Sequence, residues 1–197
     1  IRVGREYCVS VASATDALHF ALIAHNIGAD DEVLVTDFSW ISSSAVVSMV
    51  GATPVFCDID LDSYHMCLES IKRMHSNKVK AIIFPHLFGN MTDTTEIQEF
   101  CKDRGILFIE DAAQSLGSSL HNIKAGTIGD MGVFSFYATK NLAVGEGGMI
   151  ISNSESLISK LKISALHGMS KDAWSRFSDD GYKHYKVEMA GFKYNMP

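Results

Sequence analysis

A chain of 197 residues is long enough to bury roughly 70% of the surface its unfolded form exposes, so one large domain with a substantial core is expected. Hydrophobic residues make up 47% and charged residues 20%, and a formal net charge of −6 leaves no general basic surface, which argues against nucleic acid as a partner. Cys8, Cys57, Cys67 and Cys101 form no C-x-x-C pair, no apolar run is long enough to cross a bilayer, and the first residues lack a signal-peptide core; reduced thiols, no membrane contact and a cytoplasmic location are expected.

Along the chain, short β-rich runs alternate with helical patterns. The first predicted strand, Tyr7 to Val11, precedes a helix over Thr15 to His25 with Ala17, Leu18, Ala21 and Leu22 on one face. Next come a strand at Glu32 to Thr36, a helix at Ser42 to Val50, a strand at Pro54 to Cys57 and a helix at Leu68 to Met74. Val79 to Phe84 and Ile106 to Glu110 read as strands on either side of a helix at Asp93 to Arg104, and Gly132 to Phe136 and Gly148 to Ser152 follow. Alternation of this kind predicts an α/β protein with three α-β-α layers around a mostly parallel seven-stranded sheet. Only the loop from Tyr137 to Gly147 joins the last two strands, too short for a helical crossover, so that pair is predicted antiparallel. Ser154 to His167 reads as a helix, and His167 to Asp180 as a polar loop.

Ligands of such sheets sit outside the carboxyl ends of the strands, where this chain places an acid and a lysine. Ile106-Leu107-Phe108-Ile109 ends in Glu110-Asp111-Ala112-Ala113-Gln114; Val133-Phe134-Ser135-Phe136-Tyr137 leads to Lys140 and the turn Gly145-Glu146-Gly147-Gly148. Pyridoxal phosphate (PLP) needs that pairing, an amine for its aldehyde and a carboxylate for its ring nitrogen. Lys140 is the candidate amine, although most lysines are solvated surface. Strand alternation sends Glu110 and Asp111 to opposite faces, so only one enters the site; Asp111 is the first choice and Glu110 the alternative. Gln114 can bond the cofactor's phenolic oxygen, or serve as a polar surface residue. Ser13-Ala14-Thr15-Asp16 resembles a capping box, and its helix N–H groups at Ala14 and Thr15, with the Ser135 hydroxyl, can cradle a phosphate. Trp40 or Phe38 can stack on a ring, and spacing does not separate them. Eight histidines without a metal-ligand pattern, and the lack of a G-x-S-x-G elbow or a G-x-x-x-x-G-K-[ST] loop, argue against a metal site, a serine hydrolase and a P-loop.

These positions complete a pattern that resembles the DegT/DnrJ/EryC1/StrS family of PLP-dependent nucleotide-sugar aminotransferases over essentially the whole chain. The matching stretches are Ser13-Ala14-Thr15-Asp16-Ala17-Leu18, Gly51 to Asp60, Glu110 to Gly117, Gly129 to Phe136, Thr139-Lys140-Asn141, Gly145 to Gly148, His167-Gly168 and Gly191 to Met196. Cys67 departs from the family's usual acidic residue. The resemblance implies a PLP-dependent transferase large domain of fold type I over residues 1–197, with the amino-terminal segment and small carboxy-terminal domain absent. It also implies Lys140 as the cofactor's amine, Asp111 on the ring nitrogen, Gln114 near the phenolic oxygen, Trp40 at the ring face and Ser135 at the phosphate. Asn195 is implied to reach a partner subunit's cofactor, hence a homodimer. The implied activity is amino transfer, from glutamate, to a keto carbon of a nucleotide-linked sugar in polysaccharide, glycan or secondary-metabolite biosynthesis. Relatives that act as sugar dehydratases carry histidine in place of the lysine, so Lys140 favours transamination. Another PLP chemistry, or a binding protein without turnover, are the alternatives. His167, Arg176 and Tyr194 flank or lie in the polar loop and either approach the substrate or form plain surface.

Overall fold

A computed structural model of the chain describes residues 3–169 and 186–196. Arg176, and with it most of the polar loop, lies outside the described residues.

The element order is β1 (Tyr7–Val11), α1 (Ala14–Ala24), β2 (Glu32–Thr36), α2 (Ser42–Met49), β3 (Thr53–Cys57), α3 (Leu68–Met74), β4 (Val79–Pro85), a 3₁₀ turn (Leu87–Gly89), α4 (Thr95–Arg104), β5 (Leu107–Asp111), β6 (Ser119–Leu120), β7 (Ile123–Lys124), β8 (Met131–Ser135), β9 (Gly148–Ser152) and α5 (Glu155–Ser164). Seven of the strands form one sheet in the order β1-β9-β8-β5-β4-β2-β3. Every pairing from β8 through β5, β4 and β2 to β3 is parallel, whereas β9 runs antiparallel to both β8 and β1. The loop carrying Lys140 is therefore a long hairpin connection, as its length predicts.

Both faces of the sheet are covered. On one, Leu18, Phe20 and Leu22 of α1 pack with Val46 and Val47 of α2 and Ile158 and Leu161 of α5. On the other, Ile71 of α3 and Ile97, Phe100 and Cys101 of α4 pack over Ile82, Phe84 and Phe108. The buried central strands read as continuous apolar runs because neither face meets water.

Three local features differ from the sequence expectations. Helix α4 begins at Thr95, because Asp93 stays outside and accepts from the Thr95 N–H (2.9 Å). Helix α5 stops at Ser164 instead of continuing to His167: His167 adopts φ 56°, its N–H donates to the Phe192 carbonyl (2.8 Å), and Leu166 bridges Lys193. Tertiary pairing with the 186–196 segment overrides the helical pattern there. The small β6–β7 hairpin was not expected; its two-residue turn, His121 (φ 49°) and Asn122 (φ 65°), has the left-handed pair of a type I′ turn without the usual glycine. Cys67, the family departure, is the N-cap of α3 and makes no capping bond.

Candidate active site

The carboxyl ends of β4, β5 and β8 and the amino end of α1 surround a cavity of about 330 Å³. Ala14, Thr15, Trp40, Asp111, Gln114, Ser135 and Lys140 all line it. A larger, more open groove of about 900 Å³ lies at the opposite strand ends, beside Leu107 and Asp130, and holds none of these residues.

At one end of the cavity stands the N-terminus of α1. Ser13 caps it, its Oγ accepting from the Asp16 N–H (3.1 Å), and Ala17 N–H donates to the Ser13 carbonyl. Among the described residues nothing accepts from the Ala14 and Thr15 N–H groups, so two donors at the positive end of the helix face the cavity. The hydroxyls of Thr15 and Ser42 are 2.8 Å apart beside them, and Ser135 comes in from β8. Gly148, the first residue of β9, makes this possible: a Cβ there would meet the Ser13 carbonyl carbon at 2.5 Å and the Ala14 nitrogen at 2.7 Å. Only glycine lets the strand press against the helix start.

At the other end lies Asp111, only 9% exposed, its Oδ1 accepting from the Ala113 N–H (3.1 Å). Burial pushes its carboxyl up from the usual range, opposed by the Ala113 N–H and the charge of Lys140. The folded state therefore holds the proton more tightly than the unfolded chain. The associated stability is present at low pH and lost as the pH rises through the folded value. A cation placed against Asp111 would reverse this. Asp111→Asn is accordingly expected to raise the melting temperature of the ligand-free protein at pH 7, while weakening binding of a cationic ring partner about 10- to 100-fold, the worth of a charge-assisted hydrogen bond. Calorimetry against pH and ligand titration check the two halves.

Glu110 takes the opposite face, as alternation requires, and is fully buried. Its oxygens accept from the N–H groups of Gly126 (2.8 Å), Ile128 (2.5 Å) and Gly129 (2.7 Å) and pair with His86 Nε2 (2.8 Å). It is an anchor for the 125–129 loop, outside the cavity lining. The rings are separated too. Trp40, 71% exposed, is on the cavity rim, whereas Phe38 packs with Tyr64 and Phe88 (ring centroids at 5.7 and 6.5 Å) and does not line it.

His167 is exposed, and Tyr194 packs on Phe20 and Phe192 with its hydroxyl 3.3 Å from His19 Nδ1, so neither lines the cavity. Asn195 does not line it either; its Oδ1 accepts from Lys193 Nζ (2.6 Å), while the neighbouring Met196 lies against Gly147 on the cavity wall. His86, Ser42 and Glu146 line the site without having been anticipated. Glu146 had a visible signal, its place between two glycines of the turn after Lys140.

The model of the DegT/DnrJ/EryC1/StrS aminotransferase family matches residues 2–197. The chain belongs to that family. It is 40% identical over 98% of its length to the spore coat polysaccharide biosynthesis protein SpsC of Bacillus subtilis, covering 50% of that protein. Among solved structures, an aminotransferase from Psychrobacter cryohalolentis superposes with a TM-score of 0.91 at 34% identity, over 98% of this chain and 49% of the other. Spr1654 from Streptococcus pneumoniae, solved in a PLP-form, has a TM-score of 0.87 at 28% identity, over 98% of this chain and 52% of its own. The chain thus spans about half the length of the curated relatives it matches.

The donors present suit the family's cofactor chemically. Free helix N–H groups and hydroxyls face one end, a buried acid that calls for a cation faces the other, and an amine stands beside that acid.

Proposed function

We propose that the chain is the PLP-binding large domain of an aminotransferase that moves an amino group, from glutamate, to a keto carbon of a nucleotide-linked sugar. The observation that carries this reading is the convergence of Asp111, Lys140 and the α1 N-terminus on one cavity. The polysaccharide role in the name of the Bacillus relative and the PLP-form of the Streptococcus structure support it.

Bound there, pyridoxal phosphate would supply an aldehyde to exchange for an amine and a ring that withdraws electrons from the substrate carbon. The Ala14 and Thr15 N–H groups, with Ser135, hold its dianionic end. Asp111 keeps the ring nitrogen protonated, Gln114 donates to the phenolic oxygen, and the Trp40 ring covers a face. Lys140 Nζ would hold the aldehyde end and carry a proton to and from the substrate carbon. Asn195, from the other subunit of a homodimer, completes the site.

Titration with PLP followed by glutamate alone tests the reading. One equivalent of 2-oxoglutarate per site is expected, and a panel of nucleotide keto-sugars then identifies the acceptor. Bound PLP that no amine donor converts would favour a binding protein without turnover.

A further inference from the structure

The buried Glu110–His86 pair has no part in the chemistry above. Its oxygens ringed by donors, the Glu110 carboxylate can only accept, so His86 Nε2 carries the proton and donates to it. The His86 ring is 1% exposed, and its Nδ1 is buried without a partner among the described residues. This pair clamps the start of the turn formed by residues 86–90.

The rest of the turn is tied down just as firmly. The His86 N–H donates to the Asp111 carbonyl (3.0 Å), Ser118 Oγ donates to the Gly89 carbonyl (2.7 Å), and His65 Nε2 donates to the Asn90 carbonyl (3.2 Å). At its centre Phe88 adopts φ 59°, ψ 14°, the left-handed region that a bulky residue occupies only when its surroundings hold it there. Its N–H then points at Gln114 and donates to Oε1 at 2.6 Å. Gly89 closes on the same residue, since a Cβ there would come within 2.9 Å of the Gln114 carbonyl oxygen.

An amide with its oxygen engaged has only its NH₂ left to offer. Gln114 lines the cavity, and no described residue accepts from its Nε2. We propose that the 86–90 turn, clamped by the Glu110–His86 pair, fixes the polarity of Gln114 so that the cavity meets an N–H donor and not a carbonyl. This rests on the PLP reading, in which the donor meets the anionic phenolic oxygen. Glu110 and His86 are positioning residues, acting through Phe88 and Gln114.

The test is His86→Leu in the cofactor-loaded protein, with His86→Gln as the conservative variant able to donate to Glu110. A lost donor leaves more negative charge on the phenolic oxygen, which holds its shared proton more tightly. The pH midpoint of the cofactor's absorption is expected to rise by about one unit and PLP affinity to fall about tenfold, with His86→Gln restoring most of both. Glu110, Asp111, His65 and Lys140 are the titratable groups that face this region. Because His86 acts on Asp111 and His65 directly, Ser118→Ala, which leaves every titratable group in place, isolates the effect carried by Gln114. A merely structural role would lower the melting temperature and leave the midpoint in place. Should His86→Leu not fold, Ser118→Ala, which cuts the tie to Gly89, is expected to move the midpoint and the affinity in the same directions by about threefold in affinity, one neutral hydrogen bond's worth. Folded variants with unchanged midpoint and affinity overturn the proposal alone. A parent protein that binds no PLP overturns the functional reading and this inference with it.

Discussion

Lys140→Ala is expected to lower turnover by at least about 10³-fold while leaving the fold intact, because in the proposed function it removes both the amine that would hold the cofactor and the proton carrier. The folded protein asks little of this side chain. Lys140 sits in the hairpin turn after Tyr137, whose carbonyl accepts from the Lys140 backbone N–H (2.9 Å), a bond any residue keeps. Stability should change by no more than about 0.5 kcal/mol, the range of a surface substitution. Lys140→Arg sharpens the comparison. It retains a positive charge near Asp111, yet a guanidinium never gives up its proton and so supplies neither amine nor base. Borohydride should fix the cofactor to the peptide containing Lys140 in the parent and in neither variant. Visible cofactor absorption that persists unchanged in Lys140→Ala would sink the assignment.

The opposite profile is expected for Glu110→Ala, one residue before Asp111. Its carboxylate is fully buried and satisfies three backbone N–H groups and His86. Truncation leaves those donors without an acceptor in a site that water does not reach. Each buried unsatisfied group costs about 1–3 kcal/mol, so a loss of about 3–5 kcal/mol is expected, a large part of the roughly 5–15 kcal/mol that holds a domain together. Denaturant unfolding measures it directly, and a midpoint close to the parent's would contradict the account. Neighbouring acids on one strand thus divide their duties, one toward the ligand and one toward the scaffold.

Much of this arrangement is legible before any coordinates. Strand–helix alternation carries the layers, and the period of two along β5 already sends Glu110 and Asp111 to opposite faces. Ser13 and Asp16 announce the cap whose free N–H groups line the cavity. What escapes is whatever depends on long-range partners. Nothing local to Glu110 says that the amides of residues 126, 128 and 129 converge on it. Trp40 and Phe38 are equivalent as aromatics in a strand-end loop, and only the positions of Tyr64 and Phe88 draw Phe38 away. The early end of α5 is set by Phe192 and Lys193, far along the chain, while the local apolar pattern argues for continuation. Phe88 in a left-handed conformation is illegible for the same reason, since a phenylalanine in sequence gives no hint of a backbone that favours glycine.

The reversed strand β9 has a consequence for how the molecule is made. Among the described residues β1 has one neighbour in the main sheet, β9, and of that sheet's seven strands β1 is synthesised first and β9 last. At about 5–20 residues per second, β1 waits on the order of ten seconds for its partner in the sheet. The start of α1 waits equally long for Gly148, the residue that closes against it. The helix start that lines the cavity is therefore completed only once the last of these seven strands has been synthesised, and β1 is the strand of this sheet where a chaperone would find its longest-lived foothold.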